Sequence, residues 1–332
     1  MLASRRDDRQ HAHRARAGVV QRMNDPRRQA KEGTRTEPVA LTAGLDFKGA
    51  FEHVESLVVS LRVRGHAEPG RAAVLERHQR IAVVGAGRVG VPLAAALREA
   101  GFAVDGPLGR GERPAGCDAA VLCVPDAEIA TAAETVAGAA PLVGHTSGAT
   151  PLAALAAAGG ERFGLHPLQT FAPGAGPDTF RGAGAAVAGS TPRALAFAAS
   201  LARTLGMTPF EIDDQGRAAY HAAASLASNF LLTLQAAAET IAAGAGLERS
   251  EARALLVPLL RRTVENLAEL GPEGALTGPI ARGDHATVAS QRAAVEEVAP
   301  HLLELFDELV RHTRSLAARG ASASLASQGA SA

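Results

Sequence analysis

An α/β domain followed by an all-helical one is the fold class this 332-residue sequence predicts. Three observations carry it. Apolar runs of strand length alternate with a helical pattern from Arg80 to Ile212; a GxGxxG turn joins the first run to the first helix; beyond Asp213 only helical periodicity remains. The expected organisation is a disordered extension over 1–79, an α/β dinucleotide-binding domain over 80–212, a helical substrate or dimerisation domain over 213–320, and a disordered tail over 321–332.

Composition narrows the classes. With 47% hydrophobic side chains and formal net charge +0, the chain can bury an ordinary core and lacks the basic surface that a dedicated nucleic-acid binder needs. Cys117 and Cys123 are the only cysteines, too few for a disulfide framework or a zinc site, so a reducing cytoplasm is expected. No HExxH or acidic cluster proposes a metal.

Residues 1–40 hold ten Lys or Arg against five acids and no sustained period. Such a stretch cannot offset its chain entropy by burial, and reads as a disordered extension, with a basic arm for nucleic acid or anionic lipid as the other reading. No signal peptide is visible, and "AFEHVESLVVSLRVRG" (50–65) fits a short helix or strand equally.

Order is expected from Arg80, in "RIAVVGAGRVGVPLAAALREAGFAVDGPL": a strand, a glycine turn, an amphipathic helix and a second strand. In a Rossmann dinucleotide site Gly85 would permit the tight turn, Gly87 the approach of the pyrophosphate, and Gly90 close packing of helix on strand. Ala86, Arg88 and Val89 complete the turn, and the helix start offers free N–H groups to phosphate. Asp105 stands inside the second strand, whereas its tip reads Leu108, Gly109, Arg110. This favours NADP over NAD, with Arg110 on the 2′-phosphate; otherwise Arg110 is a solvated loop residue.

The alternation continues through "DAAVLCVPD", "PLVGHTSG", "ERFGLHPLQT", "GAAVAGS" and "MTPFEI", with the helix "TPRALAFAASLARTLG" before the last. In an open parallel sheet ligands bind outside the carboxyl ends of strands, which gathers Val124, Pro125, Asp126, Thr146, Ser147, His166 and Gln169 around one crevice. His166 is either a ligand contact or a strand-end histidine capping a loop. Ser147 lies outside any GxSxG elbow, which argues against a hydrolase.

Helical periodicity covers 214–245, 249–270 and about 284–318. Its long, alanine-rich helices permit close packing, and a homodimer is expected. Residues 218–238 contain no Asp, Glu, Lys or Arg, yet their Tyr, His, Ser, Asn, Thr and Gln oppose membrane insertion. His221, Ser225 and Asn229, at i, i+4 and i+8, form one stripe on a helix face, either a set of satisfied core polars or an active-site face. In "ALTGPIARGD", Arg282 could clamp a carboxylate with Thr277 and Asp284 alongside, or the segment is a loop that Asp284 caps.

"AVVGAGRVG", "LCVPD", "GLHPLQTF", "AYHAAASLASNF" and "LTGPIARGD", in this order, resemble a family of Rossmann-like proteins with a C-terminal helical domain of unknown function. That family is related to pyrroline-5-carboxylate reductase, 6-phosphogluconate and 3-hydroxyisobutyrate dehydrogenases, and ketopantoate reductase. The resemblance spans Arg80 to about Ala318 and implies NADP binding and a reductase of unassigned substrate, ketopantoate being one candidate; a small oxo acid, hydroxy acid or imine is the substrate class expected. "GLHPLQTF" is also similar to the strand end of prephenate and arogenate dehydrogenases, where the histidine contacts substrate. Relatives keep a catalytic lysine on the first interdomain helix with an asparagine one turn later; here the only lysines are Lys31 and Lys48. By that resemblance His221 replaces the lysine, Ser225 takes the asparagine position, and Asn229 lies a further turn along. A lysine starts from a pKa of about 10.4 and a histidine from about 6.5, so histidine suits proton transfer at neutral pH. Tyr220 is followed four residues later by Ala224, not the lysine of a short-chain dehydrogenase. The alternative is a non-catalytic NADP-binding protein whose helical domain mediates dimerisation or partner binding.

Overall fold

A computed structural model describes residues 79–329. The basic arm, the 50–65 segment and both lysines lie outside them.

Seven strands form one sheet in the order β2-β1-β3-β4-β5-β6-β7. They are β1 Arg80–Val84, β2 Ala103–Leu108, β3 Ala119–Leu122, β4 Leu142–His145, β5 Glu161–Leu168, β6 Gly184–Gly189 and β7 Thr208–Glu211. All seven expected apolar runs are strands. The sheet is not wholly parallel: β6 runs antiparallel to β5, and β7 then runs parallel to β6. The segment between β5 and β6 holds only a short 3-10 turn, Pro177–Phe180, instead of the crossover helix that a parallel return ordinarily uses.

Strand alternation divides the core. Ile81, Val83, Val121, Phe163 and Leu165 face one side, where helices α1 (Gly90–Glu99) and α3 (Pro192–Thr204) cover them. Ala82, Val84, Leu122 and Val143 face the other, under α2 (Ile129–Thr135) and the 3-10 segment Leu152–Ala158. Being covered on both faces explains why these strands are continuously apolar. Thr191 caps α3 by accepting from the Ala194 N–H at 3.1 Å, and Pro192 follows at the first helical position.

Among the described residues five α-helices follow β7: α4 Arg217–Ala227, α5 Asn229–Ala242, α6 Arg249–Ala275, α7 His285–Val298 and α8 Leu303–Gly329. Two expected helices are each broken. The 214–245 segment leaves helical geometry at Ser228 (φ −121°, ψ −72°), where Ser228 and Asn229, residues that favour caps over helix interiors, stand together. The 284–318 segment breaks at Ala299 before Pro300, as a proline dictates for the residue that precedes it. The expected end of the middle helix near 270 coincides with Gly271, whose φ of 70° interrupts α6. The helix α8 continues through 321–329, a segment expected to be a disordered tail.

A carboxylate pins α5 to α6. Buried Glu239 receives Arg253 through two hydrogen bonds, Nε to Oε1 and Nη2 to Oε2, each 2.8 Å, and Arg253 holds its carboxyl down at about 2. No helix among the described residues is long and apolar enough to cross a membrane.

Candidate functional site

The glycine turn between β1 and α1 has the shape its residues imply. Gly85 adopts φ +112°, and a Cβ there would lie 2.3 Å from the Cys123 carbonyl oxygen. A Cβ on Gly90 would lie 1.8 Å from the Gly85 carbonyl oxygen, so α1 packs too closely for any side chain. A Cβ on Gly87 would meet nothing within 4 Å. Gly87 is therefore free of packing duty and, with Ala86 and Arg88, exposed. The first turn of α1 has no side-chain cap and no acidic residue, but Pro92 has no N–H and the Val91 and Leu93 N–H groups donate to the Gly87 and Val89 carbonyls, so the donors left for an anion are those of the glycine turn itself, up to Gly90. These are the features that a dinucleotide pyrophosphate requires of such a turn.

At the next strand end, Val124 packs 3.3 Å from the Gly85 Cβ position, and exposed Pro125 opens the 3-10 turn Asp126–Glu128. Arg110 lies beyond the β2 tip, highly exposed, with Nη2 2.7 Å from Glu128 Oε1. The guanidinium expected to meet a 2′-phosphate thus already has a carboxylate partner. Asp105 lies within β2.

The second half of the site is built where β4 and β5 meet α4. In register, His145 at the end of β4 pairs with Gly164 of β5, and β5 continues to Leu168. His145, Gly164 and His166 therefore share one face of the sheet. Across them lie Arg217, Tyr220 and His221 of α4, spaced i, i+3, i+4 and so adjacent on one helix face. Arg217 Nη2 approaches to 3.2 Å of the Gly164 Cβ position. Tyr220 Oη lies 2.6 Å from His166 Nδ1. The His166 and His221 ring centroids are 5.9 Å apart, edge to face. A Cβ on Gly148 would lie 2.8 Å from His221 Nδ1 and 3.0 Å from His166 Nε2, so both imidazoles flank Gly148 and a side chain there would displace them.

Electrostatics here is dominated by burial. Burial and then the charge of Arg217 push His145 down to about 4; His166 is lowered to about 4 by burial, then by His221 and Arg217. Asp126 opposes both shifts, which places its carboxylate within electrostatic reach of the histidines. Burial pushes the Tyr220 phenol up to about 12. At neutral pH His145, His166 and Tyr220 are thus uncharged around one buried cation, Arg217, which Asp214 holds through a 2.7 Å bond to Nε.

Other expected site residues have different occupations. Ser147 is buried: its hydroxyl donates to Thr150 Oγ1 and accepts the Ala149 and Thr150 N–H groups, so it holds the turn that presents Gly148. Exposed Gln169 accepts from the Thr170 N–H. Ser225 is half-buried, but the break at Ser228 interrupts the proposed stripe and leaves Asn229 exposed at the start of α5. Asp284 is the N-cap of α7, accepting from the Thr287 N–H at 3.0 Å and its hydroxyl at 2.6 Å; Arg282 is exposed beside it. The carboxylate-clamp reading of that loop therefore loses Asp284 to capping. Cys117 and Cys123 are both free, Cys123 being buried beneath the glycine turn. The sequence did not single out His145, Gly148, Arg217 or Tyr220 as site residues, although the i, i+3, i+4 spacing of the α4 residues was a readable signal.

Residues 184–313 match the family model described as a domain of unknown function (DUF2520). No curated protein matches the sequence. Among solved structures, a Bacteroides fragilis protein proposed to be an NADP oxidoreductase aligns with TM-score 0.62 and 22% identity, over 72% of this chain and 99% of its own. The Thermotoga maritima protein TM1727 aligns with TM-score 0.59 and 24% identity, over 72% and 98%. A pyrroline-5-carboxylate reductase of Streptococcus pyogenes aligns with TM-score 0.49 and 11% identity, over 72% and 100%. For the first two, at these identities, the similarity is one of fold: a Rossmann-like sheet followed by a helical region, the architecture implied by the motif resemblance.

Proposed function

We propose that the chain is an NADP-dependent oxidoreductase that moves a hydride between nicotinamide and a small oxo acid, hydroxy acid or imine. The observation that carries this reading is the convergence of His166 and His221 on Gly148, at the carboxyl ends of strands in the sheet whose first turn carries the GxGxxG glycines. The likeness in fold to a protein described as an NADP oxidoreductase supports it.

In this reading Gly85, Gly87, Gly90 and the start of α1 hold the pyrophosphate, with Val124, Pro125 and Asp126 bordering the cofactor. A bound nicotinamide supplies or accepts the hydride. His221 gives the proton that neutralises the developing oxyanion, or takes it in the reverse direction, and His166 orients the reacting group. Ser225 and Arg282 are further candidate substrate contacts. Arg110 selects the 2′-phosphate by exchanging Glu128 for it. That exchange costs little, because an exposed ion pair contributes only about 0–1 kcal/mol. Ketopantoate-like acids are one candidate substrate class.

A second reading, a non-catalytic NADP-binding protein whose helices serve dimerisation or partner binding, is favoured by the large apolar side chains left exposed on α4, α5 and α6. The experiment that separates the two is a panel of 2-oxo acids and cyclic or open imines with NADPH, run on the wild type and His221→Ala. The reductase reading expects turnover with at least one class and a loss of about 10²–10⁴-fold in kcat in the variant, the usual contribution of a positioned acid or base. Turnover unchanged in His221→Ala removes His221 from the mechanism; no turnover with any class favours the second reading.

A further inference from the structure

We infer that Tyr220 is a positioning residue: it holds His166 in the tautomer whose proton sits on Nε2, so that His166 presents an N–H donor, not a base, to the space beside His221. The carrying observation is the 2.6 Å contact between Tyr220 Oη and His166 Nδ1. Either atom could in principle donate. A phenol is the stronger donor and an imidazole nitrogen the stronger acceptor, so the Tyr220 hydroxyl donates to Nδ1. Neutral imidazole carries one proton, and with Nδ1 accepting, that proton resides on Nε2.

The geometry gives this tautomer a direction. Nε2 is the His166 nitrogen that flanks Gly148, where it shares the neighbourhood of His221 Nδ1. His221 Nδ1 is buried and has no hydrogen-bond partner among the described residues. A substrate hydroxyl beside both rings can accept from His166 Nε2–H and donate to His221 Nδ1. The two histidines thereby divide the work: one orients the oxygen through a fixed donor, the other exchanges the proton. This division rests on the proposed reductase reading, whereas the tautomer does not.

Tyr220 is itself held for the task. Its ring packs edge to face on Phe210, with centroids 5.7 Å apart, and on His166, with centroids 5.5 Å apart. Phenylalanine at this position keeps both packings and deletes only the hydroxyl, so Tyr220→Phe isolates the hydrogen bond.

Two-bond proton–nitrogen correlation spectra of the ¹⁵N-labelled full chain near pH 7.5 read the tautomer directly, with His166 assigned through His166→Gln. The expected wild-type result is a pyridine-like, hydrogen-bonded Nδ1 and a pyrrole-like Nε2. In Tyr220→Phe both His166 nitrogens should move toward the averaged values of a mixed tautomer, while His221 keeps its pattern. A wild-type spectrum with the proton on Nδ1, or a His166 pattern unchanged in Tyr220→Phe, overturns the inference. If Tyr220→Phe does not fold, the wild-type spectrum alone decides, since a mixed or Nδ1-protonated His166 contradicts the assignment. Neither outcome depends on finding a substrate, so failure here and failure of the reductase reading are distinguishable.

Discussion

Keeping His145, His166 and Tyr220 uncharged around the buried guanidinium of Arg217 ties the site to pH. Both histidines titrate near 4 in the fold, against about 6.5 when exposed. Between those values the unfolded chain binds more protons, so stability is fully present above about 6.5 and is lost as pH falls toward 4. Each histidine contributes a slope of up to about 1.4 kcal/mol per pH unit in that window. The groups facing them are Arg217, Asp126 and, for His145, Asp214, with His221 also facing His166. Urea unfolding from pH 7.5 to 4 should show this loss, and His145→Gln or His166→Gln should flatten the slope across the window. Equal slopes in the wild type and both variants would show that neither ring is held neutral.

The same residues show how far the site was legible. Counting forward from His221 along a helix finds Ser225 and Asn229 at steps of four; counting back four finds Arg217, from which Tyr220 follows at i+3. Which end of the helix meets the sheet decides between them, and that depends on where β4 and β5 end, a tertiary fact absent from helical periodicity. His145 was hidden for a related reason, because a histidine in an apolar run reads as part of the strand. His166 and the three glycines were readable, since a histidine before a proline at a strand end and a GxGxxG between strand and helix carry local signals.

Elements followed the sequence closely in type and less closely in direction and continuity. An apolar run looks the same whichever way it is paired, and only the missing helical pattern between β5 and β6 marked the antiparallel return. The helices after β7 raise a question of their own. Leu226, Phe230, Leu232, Leu255 and Leu259 on α4, α5 and α6 are each more than half exposed. Several large apolar side chains on neighbouring helices form a surface that water does not favour, and a second copy of the chain is the proposed occupant. Sedimentation at micromolar concentration should give about twice the 33.9 kDa chain mass, and Leu255→Glu with Leu259→Glu should return it to one chain. A wild type that sediments at one chain mass would leave the apolar face to another partner.

At the scale of the whole molecule, the sheet places the glycine turn and the histidine cluster at strand ends, and the proposed chemistry needs both. Gly87 offers the cleanest entry, because a Cβ added there meets nothing within 4 Å among the described residues, so a small side chain obstructs chiefly what approaches from outside. Calorimetric titration of NADPH and NADH into the wild type and Gly87→Val therefore tests the central claim most directly. The account predicts saturable NADPH binding by the wild type, tighter than NADH, and at least about tenfold weaker binding, roughly 1.4 kcal/mol, in a Gly87→Val protein of unchanged thermal stability. A wild type that binds neither nucleotide, or a Gly87→Val protein that binds NADPH as well as the wild type, would contradict it.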